Sequence, residues 1–319
     1  MSVHATIDGT LARLTLPFAQ LYADGFGEDL DARVEAVRDY RGPAPTVDIA
    51  WGSARTLLGV RVRRGTFRSP AAAYLPRESR DAVVEQWLPA GARAQCLILA
   101  TTAEEFLVRR RPLAAWLARH RIGSVLLENP FYGERRPAGQ RGPALRTVAT
   151  QFAMNLATVE EAASLLRTLH LDGWEVGATG YSQGGVMSAF GAAVSDFPVA
   201  VVPRGAARAA APIFTEGVLT RAIRWRTLAR EAGSRGAAEA RFREALEPVR
   251  VDRYPAPRDP SRAILVASRH DGFIPPEEAE ALHAHWPGSE LRWVEGGHLT
   301  GLVLHHQVHR RALLDAFGR

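Results

Sequence analysis

The chain has 319 residues, 46% of them hydrophobic, which is enough for a large buried core and favours one α/β domain with an insertion. All 40 basic residues are arginine and the net charge is +6. The absence of lysine excludes Schiff-base chemistry and a phosphate-binding P-loop. Cys96 is the single cysteine, which excludes an intramolecular disulfide, and its apolar surroundings predict burial.

The distribution of charged and apolar residues bears on partners and location. No basic stretch alternates with aromatic residues, so we expect no nucleic-acid partner. No apolar run has the length of a membrane span, and the N-terminus lacks the pattern of a secretion signal. These features predict a soluble, cytoplasmic protein without a transmembrane segment, while contact with a membrane surface and the oligomeric state stay open.

Strand and helix patterns alternate along the chain. Strands are predicted at residues 48–62, 82–88, 95–101, 123–128, 199–203, 262–268 and 291–295. Helices are predicted at residues 28–39, 106–120, 147–170, 277–285 and 302–317. This alternation is typical of a mostly parallel sheet with helices on both faces, formed by residues 1–319 as a single domain.

Residues 206–260 interrupt the alternation with helical patterns at 215–230 and 237–246. We interpret this insertion as a helical lid over the carboxyl edge of the sheet, where ligands bind in such folds. Residues 218–230 are expected to form one helix with an apolar side and several arginines. That helix either packs on the core with its arginines in solvent, or lines an acyl tunnel while its arginines meet an anionic head group.

The most informative stretch is residues 174–185, where a strand leads into Gly-x-Ser-x-Gly and then into a helix pattern. A nucleophile elbow needs this context, because its serine has a positive φ and small neighbours let the strand and the helix pass closely. The pattern predicts that Ser182 is a nucleophile, with Gly180 and Gly184 providing the space. The backbone N–H of Gln183 is the expected first oxyanion donor.

A serine nucleophile requires a base and an acid that orients the base. Asp271 follows the second strand after the elbow, and His298 follows the last strand in a Glu-Gly-Gly-His segment. Each residue alone is also typical of a surface turn, but the order serine, aspartate, histidine at successive strand ends predicts a catalytic triad. Glycines before His298 predict a flexible, narrow loop. His305 and His309 share a helix face without a third ligand, so we expect neither a metal nor a cofactor.

Other site residues follow from the strand ends. The second oxyanion donor is expected from Thr102 or Ala103, after the strand at 95–101. Substrate contacts are expected from Tyr181 beside the nucleophile and from three residues after the strand at 123–128: Tyr132, Arg135 and Arg136.

Several segments together resemble the α/β-hydrolase domain-containing protein 18 family, from about Gln95 to the C-terminus. They are residues 126–133 (LLENPFYG), the elbow, residues 214–219 (FTEGVL), residues 286–292 (WPGSELR) and residues 295–298 (EGGH). The resemblance implies the α/β-hydrolase fold, the roles given above to Ser182, Asp271 and His298, and acyl-ester hydrolysis. Two departures concern the oxyanion contacts: the elbow reads Tyr-Ser-Gln in place of Ser-Met-Gly, and the loop at 101–103 lacks glycine.

Three functions are compatible with these features. The first is hydrolysis of a carboxylic ester, with acyl lipids among the candidate substrates, through an acyl-enzyme. The second uses the same groups on an amide or a thioester, or transfers the acyl group to an acceptor other than water. The third is a non-catalytic interaction protein on a hydrolase scaffold, which leaves a complete triad without a purpose.

Overall fold

The computed structural model describes residues 6–10 and 20–319. Residues 6–10 are helical. The strands are β1 (Ala50–Trp51), β2 (Arg55–Leu57), β3 (Val60–Arg68), β4 (Asp81–Leu88), β5 (Ala94–Leu99), β6 (Ile122–Leu127), β7 (Glu175–Tyr181), β8 (Ala200–Arg204), β9 (Ile264–Ser268) and β10 (Glu290–Val294). The helices are α1 (Leu30–Asp39), α2 (Arg111–Arg119), α3 (Val148–Leu171), α4 (Gln183–Ala193), α5 (Ala210–Thr215), α6 (Trp225–Ala232), α7 (Arg235–Leu246), α8 (Pro276–His285), α9 (His298–Leu304) and α10 (His306–Ala316).

These strands form one sheet in the order β1-β3-β4-β6-β5-β7-β8-β9-β10, with β2 paired to β3. All pairs from β6 through β5 to β10 are parallel, whereas β3 and β4 pair in the antiparallel sense. Every residue of β5 and β6 is buried, as their continuous apolar sequences predict for strands covered on both faces. The mostly parallel α/β sheet predicted from the alternation is therefore present.

Two apolar clusters cover the two faces of the sheet. The larger joins the sheet to α3 and α4, and the smaller joins it to α2 and α10. The longest helix, α3, begins at a threonine cap, because Thr147 Oγ1 accepts the N–H of Thr150 at 3.0 Å. Cys96 is fully buried, as predicted. Within the described ranges, no helix is both long and apolar enough to cross a bilayer.

The predicted strand at residues 48–62 is wrong in its extent. The chain reverses at Leu58 and Gly59, whose φ angles are 52° and 74°, so that β2 and β3 form a hairpin. Apolar residues stand on both sides of this reversal, at Leu57, Leu58 and Val60, and the sequence pattern therefore predicts one strand across it.

The predicted helix at residues 215–230 is wrong in its continuity, although residues 225–230 are helical. α5 ends at Thr215, a 3-10 turn occupies Val218–Ala222, and α6 begins at Trp225. Between them Ile223 is extended and bridges to Leu21, whose N–H donates to Ala222 O at 2.9 Å. A contact with a distant segment therefore breaks the helical pattern, and the single amphipathic helix expected at 218–230 does not form.

Candidate active site

Ser182 lies at the sharp turn between β7 and α4 and has φ 56° and ψ −121°. A Cβ atom at Gly180 would lie 2.3 Å from the backbone carbon of Gly184, and one at Gly184 would lie 2.6 Å from Leu99 O. Both glycines are therefore needed for the strand and the helix to pass each other, as predicted. The turn is also tied to the next strand, because the Ser182 N–H donates to Arg204 O at 2.9 Å.

Asp271 and His298 lie in direct contact at the carboxyl ends of β9 and β10. His298 Nδ1 is 2.7 Å from Asp271 Oδ2, and their side chains are 7% and 4% exposed. Asp271 Oδ1 accepts the backbone N–H groups of Phe273 at 2.8 Å and Ile274 at 2.9 Å. The carboxylate is thereby held in a turn, and Nε2 is the ring nitrogen of His298 that Asp271 leaves available.

Two aromatic rings position the imidazole of His298. The Phe273 ring is stacked on it at 4.9 Å between centroids, and the Tyr181 ring is tilted against it at 5.0 Å. The Tyr181 hydroxyl also donates to the backbone carbonyl of His298. Burial, and next the charge of Asp271, raise the pKa of Tyr181 well above its ordinary value, so this hydroxyl stays a neutral donor.

Asp8 is a functional candidate that the sequence reasoning missed. Its side chain is fully buried and accepts the backbone N–H groups of His298, of Leu299 at 3.3 Å and of Gly272 at 3.3 Å. It thus joins the loop that carries Asp271 to the loop that carries His298. No local pattern marks it, because its partners lie more than 260 positions away in the chain.

Gly297, directly before His298, leaves space for the side chain of Asp8. A Cβ atom at Gly297 would lie 2.3 Å from Asp8 Oδ2. The Gly297 N–H also donates to Thr300 Oγ1 at 2.8 Å, which closes the first turn of α9. Glycine at this position therefore permits a close approach by the buried carboxylate.

Ser182 and His298 line one cavity of about 770 Å³ whose surface is mainly apolar. Its walls come from distant segments of the chain: Leu21 near the N-terminus, Leu113 on α2, Pro143 to Leu145 before α3, and Leu219 and Ala222 from residues 206–260. Leu299 and Leu302 on α9 complete the apolar surface. The predicted insertion thus contributes to the cavity wall through its 3-10 turn.

The candidate oxyanion donors come from two segments of the chain. Thr102 and Ala103 line the cavity, and Gln183 begins α4. Within the described part of the chain, the N–H groups of Thr102 and Gln183 donate to no other protein group. The N–H of Ala103, by contrast, interacts with the Tyr132 hydroxyl, and Ala103 has φ 57°. Thr102 therefore has the more available N–H of the two.

A buried ion pair between Arg110 and Glu104 holds the loop at 101–103, which lacks glycine. Arg110 Nε is 2.7 Å from Glu104 Oε1, and its Nη1 donates to Ile98 O and Leu127 O. Glu104 Oε2 in turn accepts the Thr101 N–H at 3.3 Å. The loop is consequently anchored to β5 and β6 by side chains.

Three of the four predicted substrate contacts line the cavity, namely Tyr132, Tyr181 and Arg136. Burial, and next the charge of Glu105, raise the pKa of Tyr132 to about 12, so its hydroxyl is neutral. Arg136 is partly exposed and forms an ion pair with Glu105.

The prediction for Arg135 is wrong. Its guanidinium is fully buried, lies 2.5 Å from Glu161 on α3, and donates to Ser79 O and Glu128 O. Every polar group of this side chain is directed to the protein interior, and Arg135 does not line the cavity. Its position next to Arg136 in the sequence concealed the opposite directions of the two side chains.

The sequence pattern of the alpha/beta hydrolase domain containing 18 family matches residues 28–236 and 229–319. The chain belongs to this family. The resemblance that was noted in the sequence is thereby confirmed, and the family match also includes residues 28–94, ahead of the segments that carried the resemblance.

Solved structures support the same fold. Acetyl xylan esterase 1 from Thermoanaerobacterium sp. JW/SL YS485 has a TM-score of 0.60 and 14% identity, covering 96% of this chain and 98% of that protein. An acetyl xylan esterase from Paenibacillus sp. R4 has a TM-score of 0.60 and 13% identity, covering 95% and 98%. At these identities the likeness establishes the α/β-hydrolase fold for this family member and nothing about its substrate.

Proposed function

We propose that this protein is a serine hydrolase that cleaves carboxylic esters through an acyl-enzyme. The observation that carries the proposal is the 2.7 Å contact between His298 Nδ1 and Asp271 Oδ2, on a cavity that Ser182 also lines. Membership of the hydrolase family supports the reaction class.

In the proposed reaction Ser182 Oγ attacks the ester carbonyl while His298 Nε2 accepts its proton. Asp271 holds the imidazole in the tautomer that leaves Nε2 free and stabilises the imidazolium that forms. The oxyanion is stabilised by the N–H of Gln183 together with that of Thr102 or Ala103. His298 then protonates the departing alcohol. In the second half of the reaction water attacks the acyl-enzyme, His298 accepts the proton of the water and returns it to Ser182 Oγ, and the acid is released.

The apolar cavity walls support esters with an acyl chain, acyl lipids included, because such chains gain from burial against Leu145, Leu219 and Leu302. Amides, thioesters and acyl transfer use the same groups and differ in the leaving group or acceptor, so a substrate panel separates them from ester hydrolysis.

A fluorophosphonate probe tests the proposal directly. We expect the wild-type protein to be labelled on Ser182 and the Ser182→Ala variant to remain unlabelled. Ester turnover in Ser182→Ala should fall on the order of a thousandfold or more. Circular dichroism of the variant should match the wild type, because a half-buried elbow side chain contributes little packing. A folded wild-type protein that is neither labelled nor active on any ester, amide or thioester would indicate a non-catalytic scaffold.

A further inference from the structure

Arg204, at the end of β8, is buried and yet lines the cavity that contains Ser182 and His298. It is 8% exposed. Its Nε donates to Thr179 Oγ1 at 3.1 Å and to Gly180 O at 3.2 Å. In the described ranges its two Nη groups have no hydrogen-bond acceptor, and no carboxylate lies within salt-bridge distance.

Arg110 and Arg135 are also buried, and each has an acidic partner. Arg110 is paired with Glu104 at 2.7 Å, and Arg135 with Glu161 at 2.5 Å. A buried cation without a partner is costly, because desolvation is not offset by a neighbouring negative charge. Burial lowers the pKa of Arg204 to about 10, which still leaves it charged at pH 7.

The groups that face Arg204 carry no negative charge at neutral pH. Burial raises the pKa of the Cys96 thiol to about 12 and that of Tyr181 well above its ordinary value. Burial, and next the charge of Arg204, lower the pKa of His309 to about 3, so this ring is neutral. Glu104 and Glu105 also line the cavity, but they are paired with Arg110 and Arg136. Among the described residues that line the cavity, Arg204 is therefore the buried cation whose positive charge is not compensated.

We propose that Arg204 binds a carboxylate of the substrate, and that the enzyme selects esters with a second, free acid group. The two Nη groups match the two oxygens of a carboxylate, which they can bind in bidentate fashion. One buried cation balances one negative charge, whereas a phosphate monoester brings about −1.5 to −2 and would leave an excess buried charge. Selection during turnover rests on the proposed hydrolase function, but carboxylate binding does not.

Kinetics with half-esters of dicarboxylic acids test this subsite. Monoethyl succinate, glutarate and adipate provide three distances between the ester and the free acid. Each is compared with the uncharged ester that has a terminal carboxamide in place of the acid. We expect kcat/KM of the wild type to favour the acid at one spacing, and Arg204→Met to reduce that preference about tenfold or more, the usual effect of losing a charged hydrogen bond.

Two further variants separate recognition from general charge effects. Arg204→Lys keeps the charge but loses the planar fork, and we expect an intermediate preference. Arg109→Met removes an exposed arginine from the rim of the same cavity. Because its charge is screened by solvent, the preference should stay within about twofold of the wild type.

Calorimetry with Ser182→Ala separates this proposal from the hydrolase function. The favoured half-ester should bind to Ser182→Ala and lose affinity about tenfold or more in the double variant with Arg204→Met. Binding of this kind without turnover in the wild type would refute the hydrolase function and retain the subsite.

Ester turnover with equal kcat/KM for acid and carboxamide, or a preference that survives Arg204→Met, would overturn the subsite. A stronger preference for ethyl 4-phosphonobutanoate would overturn the carboxylate assignment.

Discussion

At the scale of single residues, the position of the His298 backbone depends on a carboxylate from the opposite end of the chain. Asp8 accepts three backbone N–H groups from the loops that carry Asp271 and His298, and it is fully buried there. Within the described ranges its hydrogen bonds are all with backbone N–H groups, so we regard it as a positioning residue for the proposed triad.

We predict that Asp8→Asn lowers kcat about tenfold and changes KM little, because a displacement of about 1 Å in a catalytic group is sufficient for a large loss of rate. An asparagine presents an NH₂ group to N–H donors and therefore satisfies fewer of them. Steady-state kinetics with a short ester measure both constants. A rise in KM at constant kcat would place Asp8 in substrate binding.

The control for this prediction is Gly297→Ala, whose new Cβ would lie 2.3 Å from Asp8 Oδ2. We expect it to reduce kcat in the same way as Asp8→Asn. The double variant Asp8→Ala/Gly297→Ala should be less impaired than the losses of the single variants Asp8→Ala and Gly297→Ala multiplied. Fully multiplicative losses would indicate that Gly297 and Asp8 act independently.

At the scale of secondary-structure elements, the buried pair between Arg135 and Glu161 joins the segment after β6 to α3. The pair also includes bonds from Arg135 to Ser79 O and Glu128 O, so one guanidinium connects three segments. Ligands usually bind to residues that follow the end of a strand in such sheets. Arg135 follows β6, but its contacts hold these segments together.

We predict that Arg135→Met lowers the free energy of unfolding by about 3–5 kcal/mol, because it leaves Glu161 as an unpaired buried charge. Arg136→Met, which removes the neighbouring partly exposed arginine, should cost less than about 1 kcal/mol. Urea titrations measure both values. The double variant Arg135→Met/Glu161→Leu should recover most of the loss, and its failure to do so would assign the cost to the backbone bonds of Arg135.

The contact of α10 with the sheet contains a second titratable group, His309. Its Nε2 lies 3.3 Å from Gly301 O, its ring meets the Tyr181 ring edge-on at 6.0 Å, and its Nδ1 has no partner in the described residues. Burial is the largest cause that lowers its pKa from 6.5 to about 3, followed by the charge of Arg204 and then those of His305 and His306.

We predict that the wild type loses more free energy of unfolding on acidification than the His309→Gln variant does. A lowered folded-state pKa means that the unfolded chain binds the proton first, so this contribution is complete above pH 6.5 and declines as the pH falls towards 3. Between pH 7.5 and 5.0 the wild type should lose about 2 kcal/mol more than the variant. Urea titrations at the two pH values measure these losses. An equal loss of unfolding free energy in the wild type and in His309→Gln would show that His309 does not limit acid stability.

At the scale of the whole molecule, the cavity wall is assembled from segments that are far apart in the chain. Leu21, Leu145 and Leu219 belong to three separate connections, and Leu219 lies within residues 206–260. We propose that this insertion serves as the lid and that its 3-10 turn at Val218–Ala222 limits the length of acyl chain that the cavity accepts.

We predict that Leu219→Trp shifts the preference towards short acyl chains, because the larger side chain occupies space in the cavity. Rates on octanoyl esters should fall about tenfold relative to acetyl esters, the usual effect of a few methylene groups. Leu171→Trp is the control, because Leu171 is 64% exposed at the end of α3 and does not line the cavity. An unchanged chain-length profile in Leu219→Trp would place the acyl chain elsewhere.

The sequence by itself determined the parts of this protein that depend on local backbone geometry. A positive φ at Ser182 with close contacts at Gly180 and Gly184 requires a particular short pattern, and that pattern is visible in the chain. Burial of β5 and β6 on both faces likewise requires continuous apolar runs. Each of these constraints fixes the residue types within one short stretch of the chain, which is why the elbow and the parallel sheet are predictable from the sequence.

Only the tertiary structure decided which polar side chains face the cavity and which face the interior. Arg135 and Arg136 are adjacent and chemically identical. Arg135 nevertheless pairs with Glu161 of α3 in the core, whereas Arg136 pairs with Glu105 and stays partly exposed. Asp8 and Arg204 have no local signature, because their environments are created by segments brought together from across the chain. Burial of a polar side chain and compensation of its charge are properties of the folded molecule, and no periodicity in the sequence encodes them.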